Sequence, residues 1–308
     1  MNIVFMGTPE IAVKSFEMLI EKYNVVGCYT QPDRPKGRGK KLAMSPVKEV
    51  ALKHDIPVYQ PKRVKNAEEV EILKSLNPDL IVVIAYGQIL SKEVLDVPRL
   101  GCVNVHTSLL PKYRGAAPIN WAVVNGETLS GVTTMYMDEG LDTGDIIYKS
   151  TVEITPTMTA GELHDALMDM SPALLEKTVD AIKDGLAPRE KQDDSQSSYA
   201  PKMDKEISKI DWNKSGIEIC NMVRGFNPWP VAHTSFEDST LKIFLTEYRD
   251  SGREGELGEI VEVSKDSFTV KAGKGYVVVK EVQFPNKKRM DVKSYLLGHE
   301  IKAGTILK

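Results

Sequence analysis

Residues 79–86 read DLIVVIAY, an almost unbroken apolar run between two polar stretches. A short run without apolar–polar alternation is typical of a strand that is buried on both faces of a parallel sheet. Similar runs occur at residues 2–6, 25–29 and 103–106. The first third of the chain therefore predicts several buried strands.

Segments with helical periodicity separate these runs. Residues 9–22 place apolar side chains at helical spacing, with a proline near the start. Ser45 followed by Pro46 indicates an N-cap and a first helical position, and further helices are predicted over 68–76 and 119–124. Strands that alternate with helices predict an α/β, Rossmann-like domain with a mostly parallel sheet.

The pattern changes beyond this alternation. Residues 131–137 and 145–153 read as two strands in close succession, so the sheet is expected to end in a mixed region. A helix is predicted over 159–183. The polar residues 188–206, which include QDDSQSS, form the best candidate for a linker. The Rossmann-like domain is accordingly assigned to residues 1–187.

Residues 207–308 are predicted to form a second, smaller domain. A short helical segment at 217–224 precedes several strand-like runs, which turns such as SKDS and AGKG separate. Several short strands with one small helix are typical of a compact, OB-fold-like β-barrel. The predicted strands cover 241–248, 258–263, 268–271 and 276–284.

Composition excludes some classes of protein and leaves others open. The net charge of −3 over 308 residues argues neither for nor against nucleic acid. Cys28, Cys102 and Cys220 lie far apart in the sequence, which predicts buried thiols in a reducing cytosol. No run approaches the roughly 18 apolar residues of a membrane span, and the five histidines show no metal-ligand spacing. We expect a cytoplasmic monomer that uses no metal and no membrane.

Residues 104–118 read NVHTSLLPKYRGAAP and supply the first candidates for chemistry. Asn104 and His106 are two residues apart, so on an extended strand their side chains face the same side. Two N–H donors aimed at one oxygen stabilise a developing oxyanion, and one such donor contributes about 3 kcal/mol. An acyl-type transfer is the first hypothesis. A histidine that is only structural is the alternative.

Asp142 supplies a candidate carboxylate in GLDTGD, where two glycines permit a tight loop. Such a group could hold the imidazole in one tautomer or relay a proton. Asp138, Glu139 and Asp145 are close in sequence, and a solvated acidic loop is the competing interpretation. Spacing alone does not choose among the four carboxylates.

The loop that follows His106 indicates a pocket for a flat heterocycle. Much of this loop is apolar although it belongs to no predicted helix or strand, and it carries the cation of Arg114. An apolar pocket with a few polar groups suits such a ligand. The N-terminal loop at 7–9 is no GxGxxG fingerprint, which disfavours a dinucleotide. The pocket residues are predicted to be Ser108, Leu109, Leu110 and Pro111.

Two basic clusters are candidates for contact with nucleic acid. The loop PDRPKGRGKKLAMSP is too rich in glycine and proline for a helix and could grip phosphates, although a solvated loop is the alternative. Residues 287–289 form the second cluster, and the aromatic turn at 226–230 could stack a base or form a packed corner. The cations of the first loop are Arg34, Lys36, Arg38, Lys40 and Lys41.

The motifs MGTPEIA, NVHTSLLPKYRGAAP and MDEGLDTGDI resemble those of the folate-dependent formyltransferases, in particular the branch that acts on methionyl-tRNA. The resemblance covers essentially the whole chain. It implies formyl transfer from 10-formyltetrahydrofolate to the α-amino group of methionine on initiator tRNA. It also implies catalytic roles for Asn104, His106 and Asp142, a folate site at residues 108–111, and a tRNA-binding C-terminal barrel.

Three other functions stay open. The acceptor could be a small amine, such as glycinamide ribonucleotide or an amino sugar, and such an enzyme would not require the basic loop or the barrel. The chain could instead be a tRNA-binding protein with an inactive catalytic domain, although the intact Asn104, His106 and Asp142 argue against this. A hydrolase that releases formate from the same folate would need no RNA-binding surface.

Overall fold

The computed structural model describes residues 1–36, 41–237 and 239–308, with only the backbone of Lys36 and Lys41. The chain divides into two compact units. The first contains Met1–Gly115, Ser130–Val152 and His164–Tyr199, and the second contains Ala116–Leu129, Glu153–Leu163 and Ala200–Lys308. The polar segment that was predicted as a linker is therefore divided between the units after residue 199.

The strands and helices follow the predicted order, with several additions. The strands are β1 (Asn2–Gly7), β2 (Asn24–Tyr29), β3 (Arg34–Lys36), β4 (Lys41–Ala43), β5 (Val58–Tyr59), β6 (Leu80–Ile84), β7 (Cys102–His106), β8 (Arg114–Gly115), β9 (Leu129–Tyr136), β10 (Ile146–Glu153), β11 (Tyr199–Ala200), β12 (His233–Phe236), β13 (Ser239–Arg249), β14 (Ile260–Val263), β15 (Phe268–Lys271), β16 (Tyr276–Gln283) and β17 (Met290–Asp291). The helices are α1 (Val13–Lys22), α2 (Pro46–Lys53), α3 (Ala67–Ser75), α4 (Lys92–Leu95), α5 (Pro118–Val124), α6 (Ala160–Lys183), α7 (Gly216–Gly225) and α8 (Val292–Leu296).

The first unit is built on a seven-stranded sheet with the strand order β10-β9-β7-β6-β1-β2-β5. β1 pairs in parallel with β2 and β6, and β6 pairs in parallel with β7. β9 runs antiparallel to β7. The predicted Rossmann-like, mostly parallel sheet with a mixed end is confirmed. The strand order reverses between β1 and β6, and ligands of such sheets bind beyond the carboxyl ends of the strands.

The buried strands owe their place to their apolar composition. All five residues of β6 are buried, because parallel pairing on both edges and packing on both faces leave no side exposed. Phe16 of α1 stacks on Phe5 of β1 with 4.4 Å between the ring centroids. The four-residue helix α4 was not predicted, since one turn is too short to show a helical period.

The basic loop begins and ends as a short hairpin, in which β3 pairs antiparallel with β4 and Arg34 lies opposite Ala43. Two of its predicted cations, Arg38 and Lys40, lie outside the described residues. Side-chain hydrogen bonds hold the chain just before the hairpin. The carboxylate of Asp33 accepts from Lys48 Nζ at 2.7 Å and from Gln60 Nε2 at 2.9 Å.

The chain after the hairpin is held by a helix cap. The hydroxyl of Ser45 accepts from the backbone N–H of Lys48 at 3.1 Å, and Pro46 is the first residue of α2. This cap satisfies one of the N–H groups that a helix leaves unpaired in its first turn. The predicted N-cap is confirmed, and it fixes the point at which the hairpin rejoins the α/β body.

The second unit contains an antiparallel sheet with the strand order β12-β13-β16-β15-β14, and β17 pairs with β16. The last residues of the chain bond to both outer strands of this order. Lys308 exchanges backbone hydrogen bonds with Ser235 of β12, and Thr305 accepts from Ile260 of β14 at 2.8 Å. The sheet thus curls into a small barrel-like domain, as predicted. Helix α8 was not predicted, because five residues are too few to show a helical period. Strand β12 was not predicted either, because its sequence, HTSF, has a single apolar residue.

Helix α7 begins with a capping box. The hydroxyl of Ser215 accepts from the backbone N–H of Glu218, and the Glu218 carboxylate accepts from the backbone N–H of Ser215. The hydrogen bond from the Ser215 side chain is the main reason that the pKa of Glu218 lies below its ordinary value. The box satisfies two backbone donors at the start of the helix.

Replacing Ser215 by Ala is expected to lower the free energy of unfolding by about 1 kcal/mol at neutral pH. A lowered carboxyl pKa in the folded state stabilises the fold above the unfolded pKa, and this contribution is lost as the pH falls through the folded pKa. The difference between the variant and the wild type should therefore shrink under acidic conditions. Urea unfolding at neutral and acidic pH measures it, and an equal difference at both would contradict this account of Glu218.

The three cysteines are free and buried, as predicted. Burial raises the pKa of the thiols of Cys28 and Cys102 to about 12 and that of Cys220 to about 11. These thiols are therefore protonated and unreactive at neutral pH. Among the helices in the described part of the chain, none combines the length and the apolar character that crossing a membrane requires.

Candidate active site

Strand β7 carries two polar side chains into an otherwise apolar sheet. Asn104 lies between Val83 of β6 and Met135 of β9, and His106 lies opposite Thr133. Both residues are buried. Because they are two positions apart on a strand, their side chains point to the same face of the sheet.

Asp142 approaches this face from the turn between β9 and β10. Because β9 is antiparallel to β7, its last residue, Tyr136, pairs with Val103 near the start of β7. The turn then returns the chain toward Asn104. Gly144 permits this close return, since a Cβ at that position would lie 1.8 Å from the carbonyl oxygen of Tyr136.

The carboxylate of Asp142 is held by three groups. Oδ2 accepts from the backbone N–H of Gly115 at 2.8 Å and lies 3.7 Å from Nδ1 of His106. Oδ1 accepts from Nδ2 of Asn104 at 3.4 Å. The structure thus brings Asn104, His106 and Asp142 together, although His106 and Asp142 are 36 positions apart in the sequence.

The imidazole of His106 has a defined orientation. Its Nε2 lies 2.9 Å from the carbonyl oxygen of Tyr113. A carbonyl oxygen only accepts, so Nε2 carries a hydrogen and Nδ1 is the nitrogen that faces Asp142. Tyr113 has φ = 61°, in the left-handed region, and its backbone N–H donates to the hydroxyl of Ser198 at 2.9 Å.

The structure separates Asp142 from the three other carboxylates of the turn. Asp138 is exposed and accepts from Gly140 N and Thr143 Oγ1 in its own loop, and Glu139 is exposed. Asp145 lies 3.7 Å from Nε of Arg189. Asp142 has only 13% of its side chain exposed and is the member of the four that contacts both Asn104 and His106.

Residues that the sequence did not single out surround this cluster. Nε2 of Gln192 donates to the carbonyl oxygens of Asp142 and Gly144, both at 2.8 Å. Oε1 of Gln192 accepts from Nε of Arg114 at 3.0 Å and from its Nη2 at 2.8 Å. Gln192 and Ser198 lie in the polar segment that was predicted as a linker. Composition gave no sign of their role, because their positions depend on contacts with distant residues.

Comparisons with known proteins identify the family of this chain. The sequence matches the family model of formyl transferase over residues 1–179 and the model of the formyl transferase C-terminal domain over residues 202–300. The chain belongs to the formyl transferase family. The resemblance inferred from the three motifs is thereby confirmed.

Curated relatives of this formyl transferase match along their full length. Methionyl-tRNA formyltransferase of Clostridioides difficile (strain 630) is 53% identical over 308 residues, with 100% of both chains covered. The enzyme of the same name from Clostridium perfringens (strain 13 / Type A) is 53% identical over 309 residues, again with 100% of both covered. That of Acetivibrio thermocellus is 52% identical and covers 100% of this chain and 99% of the relative.

Solved structures share the fold of this formyl transferase at lower identity. A sugar 3N-formyl transferase crystallised with dTDP and 5-N-formyl-THF superposes with a TM-score of 0.69, at 22% identity, covering 94% of this chain and 99% of that one. An N-formyltransferase from Helicobacter canadensis, in complex with folinic acid and dTDP-3-aminofucose, gives a TM-score of 0.68 at 22% identity, covering 92% and 98%. At this identity the likeness concerns the fold.

The four residues 108–111, which were predicted to line a folate site, differ in their exposure to solvent. Ser108 and Leu110 are buried, with the Ser108 hydroxyl donating to Lys112 O at 2.7 Å and Leu110 packed in a small apolar cluster. Leu109 and Pro111 are partly exposed. The latter two are therefore the side chains of this segment that a ligand can reach.

The predicted tRNA-binding residues are only partly visible. Arg34 is exposed and lines a cavity of about 290 Å³ together with Thr8, Gln31 and Ser45. Lys36 and Lys41 are described by their backbone in β3 and β4. Arg38 and Lys40 fall in the gap at residues 37–40. The described part of the chain places this hairpin directly after β2, at a carboxyl edge of the parallel sheet.

The candidates in the second unit differ in exposure. Phe226 is buried in the core, whereas Trp229 is 51% exposed. Lys287 and Lys288 are exposed, but Arg289 forms a two-pronged ion pair with Glu281. The aromatic turn is therefore a packed corner at Phe226 with one ring, Trp229, that faces outward.

Within the described ranges, no group of histidine, cysteine and carboxylate side chains is arranged to hold a metal ion. The side chains of the cluster offer hydrogen-bond donors and one proton acceptor. Asn104 and His106 can donate to an oxygen, and Asp142 can support a charged imidazole and accept a proton.

Proposed function

We propose that this protein transfers the formyl group of 10-formyltetrahydrofolate to the α-amino group of methionine on initiator tRNA. The observation that carries the chemistry is the convergence of Asn104 and His106 on the carboxylate of Asp142. The full-length identity of 53% to enzymes named methionyl-tRNA formyltransferase supports the choice of acceptor.

The bond changes follow from nucleophilic attack on a formyl carbon. The neutral amine of the aminoacyl ester forms a C–N bond with this carbon, and the carbonyl oxygen becomes an oxyanion. Asn104 Nδ2 and the Nδ1–H of a charged His106 stabilise that oxyanion, because the Nε2–H of His106 is already bound to the Tyr113 carbonyl. The attacking nitrogen passes a proton to the carboxylate of Asp142. The oxyanion then re-forms the C=O bond as the bond from the carbon to the folate N10 breaks, and N10 takes that proton back from Asp142.

The orientation of His106 suits this role. Because Nε2 is bound to the Tyr113 carbonyl, a second proton on the ring resides on Nδ1, which faces Asp142. The carboxylate then stabilises the imidazolium by charge. Burial of the cluster strengthens both this interaction and the donors that face the oxyanion, since the effective dielectric constant is lower than in water.

Residues of the segment 108–111 are proposed to hold the folate. Leu109 and Pro111 offer partly exposed apolar surface one turn beyond His106, and such surface suits a flat ring system. The Leu109 side chain lies close against Gly131, where a Cβ would come within 2.6 Å of it. Two solved structures of the same fold contain folates, which supports a folate as the ligand of this protein.

The tRNA is proposed to contact the basic hairpin of the first unit and the barrel-like domain. The five cations Arg34, Lys36, Arg38, Lys40 and Lys41 supply charge for phosphates. The hydrogen bonds of Asp33 and Ser45 hold the two ends of this basic hairpin against the rest of the first unit. In this proposal residues 1–187 form the catalytic domain, 188–206 connect the domains, and 207–308 form the tRNA-binding barrel of a cytoplasmic monomer.

A competition between acceptors tests the proposed function. The protein is incubated with 10-formyltetrahydrofolate and charged initiator Met-tRNA, with glycinamide ribonucleotide as the rival acceptor, and formyl incorporation is followed. Formyl-methionyl-tRNA is the expected product. Labelling of the small amine alone would reassign the acceptor, and formate release without either product would identify a hydrolase.

Replacing Lys40 and Lys41 together by Gln is expected to raise the KM for tRNA on the order of tenfold, which corresponds to about 1.4 kcal/mol. Loss of two phosphate contacts should also reduce the slope of log KM against log salt by roughly 1 to 2. The matched control replaces Lys62 and Lys65, two exposed lysines of the same unit. An unchanged salt slope in the Lys40/Lys41 variant would assign this loop another role.

A further inference from the structure

Gln192 is a partly buried residue in an otherwise exposed polar segment. Its neighbours Lys191 and Asp193 are both exposed. Two backbone hydrogen bonds between Glu190 and Ile146, at 2.8 and 2.9 Å, bring this segment to the start of β10. The side chain of Gln192 is thereby directed at the turn that carries Asp142.

The amide of Gln192 uses its full hydrogen-bonding capacity. The NH₂ group has two hydrogens, and they go to the carbonyl oxygens of Asp142 and Gly144. The amide oxygen has two lone pairs, and both accept from the guanidinium of Arg114. The reverse orientation would place oxygen against two carbonyls and NH₂ against a cation. Only one orientation of this side chain is therefore compatible with its surroundings.

The backbone that Gln192 holds is strained. Asp142 has φ = 54°, in the left-handed region, which costs a residue other than glycine roughly 1 to 2 kcal/mol. Such a conformation persists only where surrounding contacts fix it. Gln192 fixes the backbone on both sides of Thr143, and this sets the direction in which the Asp142 carboxylate leaves the chain.

Arg114 joins this contact to the other support of Asp142. Its guanidinium binds Gln192, and the next residue, Gly115, donates its backbone N–H to Asp142 Oδ2. The backbone and the side chain of Asp142 are thus both held from one short stretch of chain. Arg114 has only 11% of its side chain exposed and also pairs with Asp194 at 2.8 Å.

We propose that Gln192 is a positioning residue for the reaction, which acts by holding the Asp142 turn in register with Asn104 and His106. This inference rests on the proposed role of Asp142. A displacement of about 1 Å in a reacting group costs on the order of 10²-fold in rate. Loss of the two bonds to the turn is therefore expected to lower kcat by that order and to leave the KM values for folate and tRNA nearly unchanged.

Two variants of Gln192 test the proposal. Gln192→Leu removes all four hydrogen bonds. Gln192→Glu keeps the partner of Arg114 but places an oxygen against the carbonyls of Asp142 and Gly144. Gln196→Leu is the matched control, because Gln196 lies in the same segment, is exposed and, among the residues that the structure describes, bonds only to Asp193 of that segment. Both Gln192 variants should lose kcat, and the control should retain it.

A double-mutant cycle with Asp142→Asn separates positioning from general support of the fold. If Gln192 acts through Asp142, then Gln192→Leu causes little further loss of kcat in the Asp142→Asn background. Full additivity of the two losses would overturn the proposal. So would unchanged kcat in Gln192→Glu.

Hydrogen exchange of the turn at residues 138–145 gives a readout that needs no acceptor. Faster exchange of this turn in both Gln192 variants, with the rest of the sheet unchanged, is the expected result. Equal exchange rates in variant and wild type would show that Gln192 does not hold this turn. If the wild type forms no formyl-methionyl-tRNA, the proposed function fails, and the exchange rates alone then decide whether Gln192 holds the turn.

Discussion

Replacing Asp142 by Asn is expected to lower kcat for formyl transfer on the order of 10³-fold, within the range that general acid–base groups contribute. The substitution preserves the size of the side chain but removes the negative charge. His106 then loses the group that stabilises its charged form, and the attacking amine loses its proton acceptor. Single-turnover formylation with enzyme in excess measures the chemical step directly.

Two controls accompany the Asp142 variant. Asp138→Asn and Asp145→Asn remove charge from the same turn, but Asp138 bonds within its loop and Asp145 faces Arg189. Both control variants should keep most of their activity. Thermal unfolding should show that Asp142→Asn remains folded. A fully active Asp142→Asn variant would remove this carboxylate from the mechanism. An inactive Asp145→Asn variant would indicate that Asp145, rather than Asp142, is the catalytic carboxylate.

Replacing Asn104 by Ala is expected to lower kcat roughly 10²- to 10³-fold, the effect of losing one donor to a developing oxyanion. The oxyanion exists only in the transition state and the intermediate, so the KM values for folate and tRNA should change little. Steady-state kinetics with each substrate varied in turn measures both constants.

A second variant separates the lost donor from the lost volume. Asn104 is buried, so the Ala variant also leaves a small cavity beside Val83 and Met135. Asn104→Leu restores the volume but not the N–H group. Equal loss of kcat in both variants supports the donor role. Recovery of activity in Asn104→Leu would show that packing, not hydrogen bonding, explains the loss.

The α/β unit could be predicted to a large extent because its signals are local. Buried parallel strands are apolar on both faces, so β6 can be recognised in the sequence as a continuous apolar segment. The hydroxyl of Ser45 and the ring of Pro46 act within one turn of their own helix, which makes the start of α2 equally visible. Helices α4 and α8 escaped prediction because one turn has no period to detect.

The closure of the barrel-like domain could not be predicted from local signals. It depends on the last residues of the chain, where Lys308 bonds to Ser235 and Thr305 bonds to Ile260. These pairings join positions that are between 45 and 73 residues apart. They are made by backbone groups, which every residue possesses, so no residue type marks them in the sequence.

The amino-acid sequence by itself determined the long buried strands, the helix cap at Ser45 and the pair Asn104 and His106, since a separation of two residues fixes a common face of a strand. The motif resemblance already pointed to Asp142, but only the tertiary structure showed that this carboxylate, and not Asp138, Glu139 or Asp145, contacts both Asn104 and His106, and that Gln192 supports its turn. The reason is physical. The antiparallel pairing of β9 with β7, together with hydrogen bonds between residues that are distant in the sequence, determines which carboxylate lies beside the imidazole. The local sequence pattern predicts neither of these.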